Sequence, residues 1–186
     1  MANFASAFAE TSIKEGGYSN HPNDRGGETY RGIARRVWPA WPGWSIIDFL
    51  KGQGIDPRKW TDNAELNHAV EGFFKVNFWD PFRGDEIQSQ LVAEELYDTS
   101  VNMGMAVEVK FLQRAVNLLS SGSPLTVDGK CGPATIAALN ALSLDRRRLA
   151  FNILNVLQGN RYIEIMEADP SQEVFIVGWL SRVRTA

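Results

Sequence analysis

The sequence predicts a mainly helical protein, and three observations carry that prediction. Apolar residues recur at helical spacing in one segment after another, from Phe4, Phe8 and Ile13 to Leu149, Ile153 and Leu157. Helix-ending signals follow several of these segments: Gly16-Gly17, Trp38-Pro39, Gly104 and the SSGSP run at 120–124. Between the first two helical patterns, Asn20, Asp24, Glu28 and Thr29 are set among glycines and one proline, which reads as a polar loop or short hairpin.

Length and composition bound the rest. At 186 residues, 44% apolar and 22% charged, the chain is an ordinary globular protein, with one sizeable core or two small ones sharing an interface. A formal net charge of -3 argues against nucleic acid as a partner, because neutralising phosphates needs a dense basic surface. The run Arg146-Arg147-Arg148 reads as a solvated helix face. Cys131 is the single cysteine, so no intramolecular disulfide can form. His21 and His68 are the only histidines and no Cys or His lies close to either, which argues against a zinc site of the usual kind. MANFASAFAETSIKE lacks the pattern of a secretory leader, and no run is apolar enough to span a bilayer. The chain is therefore expected to be made in the cytoplasm without a signal peptide.

In order, the first helix is capped by Asn3 and ends at Glu15, before Gly16-Gly17. A carboxylate there faces the negative end of the helix dipole, which disfavours ionisation and suits a general acid. Asp24 is a second carboxylate that the loop can fold back opposite Glu15. From Gly32 a short helix is expected, stopped at Trp38-Pro39 and resuming near Ser45. Trp38, Trp41 and Trp44 fall within seven residues, and flat aromatic faces suit either a sugar or the core. GQGIDPRKW is a loop, 62–78 an amphipathic helix, and Asp80-Pro81 a turn with Trp79 and Phe82 as core contacts. A helix over 87–103 places Asp98 and Asn102, four apart, on one face, and Gly104 can cap it. Helices follow at 107–120, from Gly132-Pro133, and over 149–162; a turn at Asp169-Pro170 leads to FIVGWLSRV.

EGGY at 15–18 followed by NHPNDRGGETYRGI resembles the signature of the glycoside hydrolase family 108 muramidases, the phage-like endolysins and secretion-activating lysozymes. The Trp-Asp-Pro at 79–81, the Asp98/Val101-Asn102/Gly104 pattern and the GW-x-x-R ending at 178–182 extend the resemblance along nearly the whole chain. LTVDGKCGPATIAALNAL resembles the DG-x-x-G-x-x-T-x-x-A-L signature of small peptidoglycan-binding repeats, although its turn and packing residues need no ligand.

The resemblance implies a lysozyme-like fold of two helical lobes around a substrate cleft. It implies hydrolysis of the β-1,4 bond between N-acetylmuramic acid and N-acetylglucosamine, with Glu15 as catalytic acid. Asp24 and Thr29 are the further catalytic candidates, Thr29 lying one residue closer to Asp24 than in phage lysozymes. Tyr18, Asn20, Asp98 and Asn102 are the substrate-binding candidates, with Asp98 also an alternative second carboxylate. The expected division is a catalytic segment over 1–98 and a peptidoglycan-binding segment over 99–186, packed as one compact unit. No metal or organic cofactor is needed. The expected partners are peptidoglycan glycan strands and a holin-like membrane protein that releases the monomer to the wall. A non-catalytic wall-binding protein and a lytic transglycosylase are the alternatives; no Cys-His, Ser-His or zinc set supports a peptidase.

Overall fold

The computed structural model describes residues 1–12, 17–20 and 27–184. It is mainly helical with a small three-stranded sheet. The chain forms two compact units, one of Phe8–Asn77 and a larger one of Met1–Ala7 with Phe78–Ala186. Helix α1 (Phe4–Ser12) opens with Asn3 Oδ1 accepting the Ser6 N–H at 3.1 Å, the expected cap. The expectation that Glu15 closes this helix lies outside the described residues.

In the smaller unit, β1 (Tyr18–Ser19), β2 (Thr29–Tyr30) and β3 (Ile33–Ala34) pair antiparallel in that order. Tyr18 lies opposite Tyr30, and Thr29 lies between Ser19 and Ala34. The short helix expected from Gly32 is absent, and its first residues form β3 instead. Arg31 (φ 45°) and Gly32 (φ 79°) are both left-handed, which a two-residue hairpin turn requires, and they send the chain back along β2.

The second helix, α2 (Gly43–Gly52), begins two residues before Ser45. A Cβ on Gly43 would stand 2.2 Å from the Trp41 ring, so only glycine lets that indole pack there. A 3-10 turn over Pro57–Asp62, capped by Asp56, leads to α3 (Ala64–Phe74), which Asn63 caps through the Leu66 N–H at 2.8 Å. Tyr30, Ile33, Trp44, Ile47, Trp60, Leu66 and Val70 are buried and form the core of this unit.

In the larger unit, 3-10 turns over Asp80–Phe82 and Gly84–Glu86 bury Trp79 and Phe82, as expected. Helices α4 (Gln90–Met103), α5 (Met105–Leu119) and α7 (Leu144–Ala168) pack on one another, with the shorter α6 (Pro133–Asn140) against α5. Val92 and Leu96, Val109, Leu112 and Val116, and Phe151 and Leu154 are their buried residues. Helix α7 extends beyond the expected 149–162 at both ends, because Ser143 caps its start and Pro170 stands just past its end.

Gln113 on α5 secures the Asp128-Gly129 turn. Its amide donates to Asp128 Oδ1 (2.8 Å) and the Lys130 carbonyl (3.2 Å), and its oxygen accepts the Gly129 N–H (3.0 Å). Of the three consecutive arginines, Arg146 and Arg148 are exposed. Arg147 is half-buried and donates to Gln88 Oε1 and to the Asn140 carbonyl, so that position is a tether rather than a solvated face. After α7, a 3-10 turn over Pro170–Phe175 leads to α8 (Ile176–Leu180), where Trp179 stacks on Tyr162 with centroids 5.1 Å apart.

Candidate active site

Glu15 and Asp24 lie outside the described residues. The candidates around them in sequence, Tyr18, Asn20 and Thr29, sit together on or beside the β1–β2 pair. Tyr18 and Tyr30 face each other across the ladder and both meet the Trp60 ring, at 4.7 and 6.0 Å. Residues alternate faces along a strand, so Ser19 and Thr29 project to the opposite side. The Thr29 hydroxyl donates to the Gly27 carbonyl at 3.2 Å, and Asn20 is exposed.

Glu28 ties this hairpin to α2. Its carboxylate accepts from the Tyr18 hydroxyl (3.0 Å), Arg35 Nη1 (2.8 Å) and Lys51 Nζ, and Arg35 also pairs with Asp48. Burial pushes the Glu28 carboxyl up, but the hydrogen bonds from Lys51, Arg35 and Tyr18 outweigh it and hold it below its ordinary value. Glu28 is therefore an ionised anchor and not a proton donor. Nothing in its local sequence marks Glu28 out, since Arg35 and Lys51 lie 7 and 23 residues away.

Asp98 and Asn102 belong to α4 in the larger unit. Asp98 is 4% exposed; Arg182 Nη1 donates to one carboxylate oxygen at 2.8 Å and Gln158 Nε2 to the other at 3.0 Å. The arginine of the GW-x-x-R ending, Arg182, is thus the partner of a buried carboxylate. Asn102 is half-buried and donates to the Asp98 carbonyl at 2.7 Å.

One turn before Asp98, Glu95 is fully buried, and neither of its oxygens has a hydrogen-bond partner. Arg184 Nη2 stands 3.5 Å away, close enough to attract without completing a hydrogen bond. Burial pushes the Glu95 carboxyl up to about 7, with added repulsion from Asp98 and against the pull of Arg184 and of the Asn155 amide, neither of which completes a hydrogen bond. Its place in the buried stripe of Val92, Leu96 and Thr99 on α4 is the sequence signal for this burial. Glu108 on α5 is also buried without a partner, and burial raises it well above its ordinary value, so it is neutral.

Among the described residues, no group of three or more His, Cys, Asp or Glu side chains could hold a metal ion. Burial pushes the Cys131 thiol up to about 12, and it donates to the Phe82 carbonyl, so it is no nucleophile. No helix among the described residues is long and apolar enough to cross a membrane.

On this mainly helical fold, whose small sheet presents Tyr18 and Thr29, it is the family match over residues 8–104 that identifies a glycoside hydrolase. Residues 8–104 match Glycosyl hydrolase 108, and the chain belongs to that family. Residues 107–184 match a segment described as Predicted Peptidoglycan domain, and the pairing supports hydrolysis of peptidoglycan. The first match ends at Gly104, whose φ of 86° separates α4 from α5. The structure of Brucella abortus SagA is similar, at 27% sequence identity over 97% of this chain and 88% of that chain, with a TM-score of 0.61. None of the curated proteins matches the chain.

Proposed function

We propose that the protein is an N-acetylmuramidase that hydrolyses the β-1,4 bond between N-acetylmuramic acid and N-acetylglucosamine in peptidoglycan. The observation that carries this reading is the family match over residues 8–104, which includes Glu15-Gly16-Gly17-Tyr18, followed by the peptidoglycan segment at 107–184. Protonated Glu15 donates to the glycosidic oxygen as the bond breaks. Asp24 stabilises the oxocarbenium-like transition state, orders the attacking water, or does both, and Thr29 helps to position that water or the sugar.

Tyr18, Asn20 and Asn102 contact the glycan. Tyr18 suits this role because Glu28 fixes its hydroxyl and Trp60 its ring, so little freedom is lost on binding. Asp98, with both oxygens engaged, serves the site by holding α4 to the C-terminal segment, and α4 carries Asn102. The catalytic segment of 1–98 and the peptidoglycan-binding segment of 99–186 act as one monomer on the wall, reached through a holin-like membrane protein.

The test is digestion of purified peptidoglycan by the wild type and by Glu15→Gln, with mass spectrometry of the products. Reducing muropeptides from the wild type alone are expected. Anhydro-muropeptides would make the enzyme a lytic transglycosylase. Retained wall binding without release by either protein would make it a wall-binding protein.

A further inference from the structure

The smaller unit carries a groove of about 610 Å³ between the loop at 37–42 and α3. Its volume falls within the roughly 300–1,000 Å³ of small-molecule sites. Trp38, Pro39 and Trp41 line one side; Gly72, Phe73 and Val76 line the other. We infer that this groove is a saccharide-binding site that holds N-acetylated hexosamine units of a glycan strand. The identity of the sugar rests on the peptidoglycan reading above.

The three clustered tryptophans are not equivalent. Trp44 and Trp41 are 2% and 7% exposed and belong to the core, whereas Trp38 is 38% exposed. Trp38 is nevertheless held in place. Its N–H donates to the Ala34 carbonyl (2.9 Å), its own carbonyl accepts Trp44 Nε1 (2.8 Å), and its ring meets Phe73 edge-to-face at 5.0 Å. Trp41 Nε1 donates to the Ala69 carbonyl at 3.2 Å and so locks the loop onto α3. Two prolines stiffen the backbone between these bonds. A half-exposed indole on a rigid loop is a preorganised platform with little freedom left to lose on binding.

The chemistry of the lining selects the occupant. Its residues include no Asp, Glu, Lys or Arg; His68 and Asn77 are its polar side chains. A phosphorylated ligand or an anionic membrane surface would call for cations there. A neutral pyranose instead offers flat C–H faces to an aromatic wall, and an acetamido methyl to the apolar floor. Asn77 donates its amide to the Phe73 carbonyl (2.8 Å), which leaves its side-chain oxygen to accept from an acetamido N–H. At Gly72 an added Cβ would meet nothing within 4 Å, so the floor is open enough for a ring to approach the helix.

The experiment is a titration of ¹⁵N-labelled Glu15→Gln protein with chitotetraose, the β-1,4-linked tetramer of N-acetylglucosamine, followed through the indole N–H signals of the 6 tryptophans. The Trp38 and Trp41 signals are expected to move saturably. Gly72→Leu, which fills the groove from an open position on the helix, should weaken binding by at least about tenfold, equivalent to ~1.4 kcal/mol. Unchanged Trp44 and Trp60 signals in that variant would show an intact core, and Trp38→Ala should give the same loss.

Static Trp38 and Trp41 signals, with peptidoglycan still digested by the wild type, would overturn the groove assignment and leave the hydrolase reading in place. Saturable shifts without digestion by the wild type would sustain the groove and overturn the hydrolase. Binding to phosphatidylethanolamine–phosphatidylglycerol vesicles that Gly72→Leu abolishes, without any response to chitotetraose, would overturn the saccharide assignment in favour of a membrane.

Discussion

Replacing Glu95 by Gln should stabilise the protein at pH 8 and have a much smaller effect at pH 5. Glu95 is fully buried on α4, its oxygens lack hydrogen-bond partners, and burial lifts its carboxyl from 4.5 to about 7. A carboxyl raised in the folded state keeps its proton there while the unfolded chain has already released it. Its contribution to stability is therefore fully present below about 4.5 and is lost as pH rises through about 7. At about 1.36 kcal/mol per pH unit, the loss amounts to roughly 3 kcal/mol by pH 8. Glutamine keeps the shape and polarity without the charge. Its gain should be about 3 kcal/mol at pH 8 and under about 1 kcal/mol at pH 5.

For a chain of this length the pH 8 gain corresponds to a rise of roughly 6–12 °C in melting temperature. Thermal unfolding of both proteins, followed by circular dichroism at the two pH values, measures it. The attraction of Arg184 is already contained in the raised value, because it acts against burial and loses. A Glu95→Gln protein that melts below the wild type at pH 8 would refute the reasoning. It would mean that the Glu95 carboxyl is not raised by burial and that its ion pair with Arg184 stabilises the fold.

Arg182→Ala should behave in the opposite sense. It leaves the Asp98 carboxylate in a site where the two side chains are only 6% and 11% exposed, with Gln158 as its remaining donor, and should cost about 3–5 kcal/mol. Urea titrations should show Asp98→Ala/Arg182→Ala losing clearly less than the sum of the single variants; additive losses would mean that the pair is not coupled. Cys131 should resist a disulfide exchange reagent at pH 8 in the native protein and react on unfolding, because burial holds its thiol up to about 12. Rapid labelling of the native protein would show that the thiol is accessible after all.

The parts of the fold that could be read from sequence are those whose cause lies within a few residues. Asn3 accepts an N–H three residues on and Gly104 takes the left-handed backbone its position demands; Asn63, Ser89 and Ser143 make the same local contact as Asn3, although the start of α7 at Ser143 lies outside the expected 149–162. Strand β3 escaped because Ile33-Ala34 suits a helix as well as a strand. Its identity follows from the turn at Arg31-Gly32 and from pairing with β2, which is a tertiary matter. The tryptophan cluster shows the same limit. Spacing places Trp38, Trp41 and Trp44 in one loop, but only the packing of α2 and α3 decides that two are core and one is a surface.

The candidate site divides along the same line. The EGGY motif and the shared face of Asp98 and Asn102 were visible, being local. The groups that fix these residues were not. Asp98 meets Arg182 across 84 residues and Gln158 across 60, and Glu28 gathers Tyr18, Arg35 and Lys51 from three separate stretches. A buried carboxylate persists as an ion only where donors converge on it, so its charge state is set by partners that the chain supplies from elsewhere. Glu28 and Glu95 have the same side chain, and each is drawn into its unit. Glu28 receives three donors and stays ionised, while Glu95 has only Arg184 and the Asn155 amide drawing on it without a completed hydrogen bond and holds its proton up to about pH 7. The functional difference between the two glutamates therefore resides in the packing, which brings cations to one and withholds them from the other.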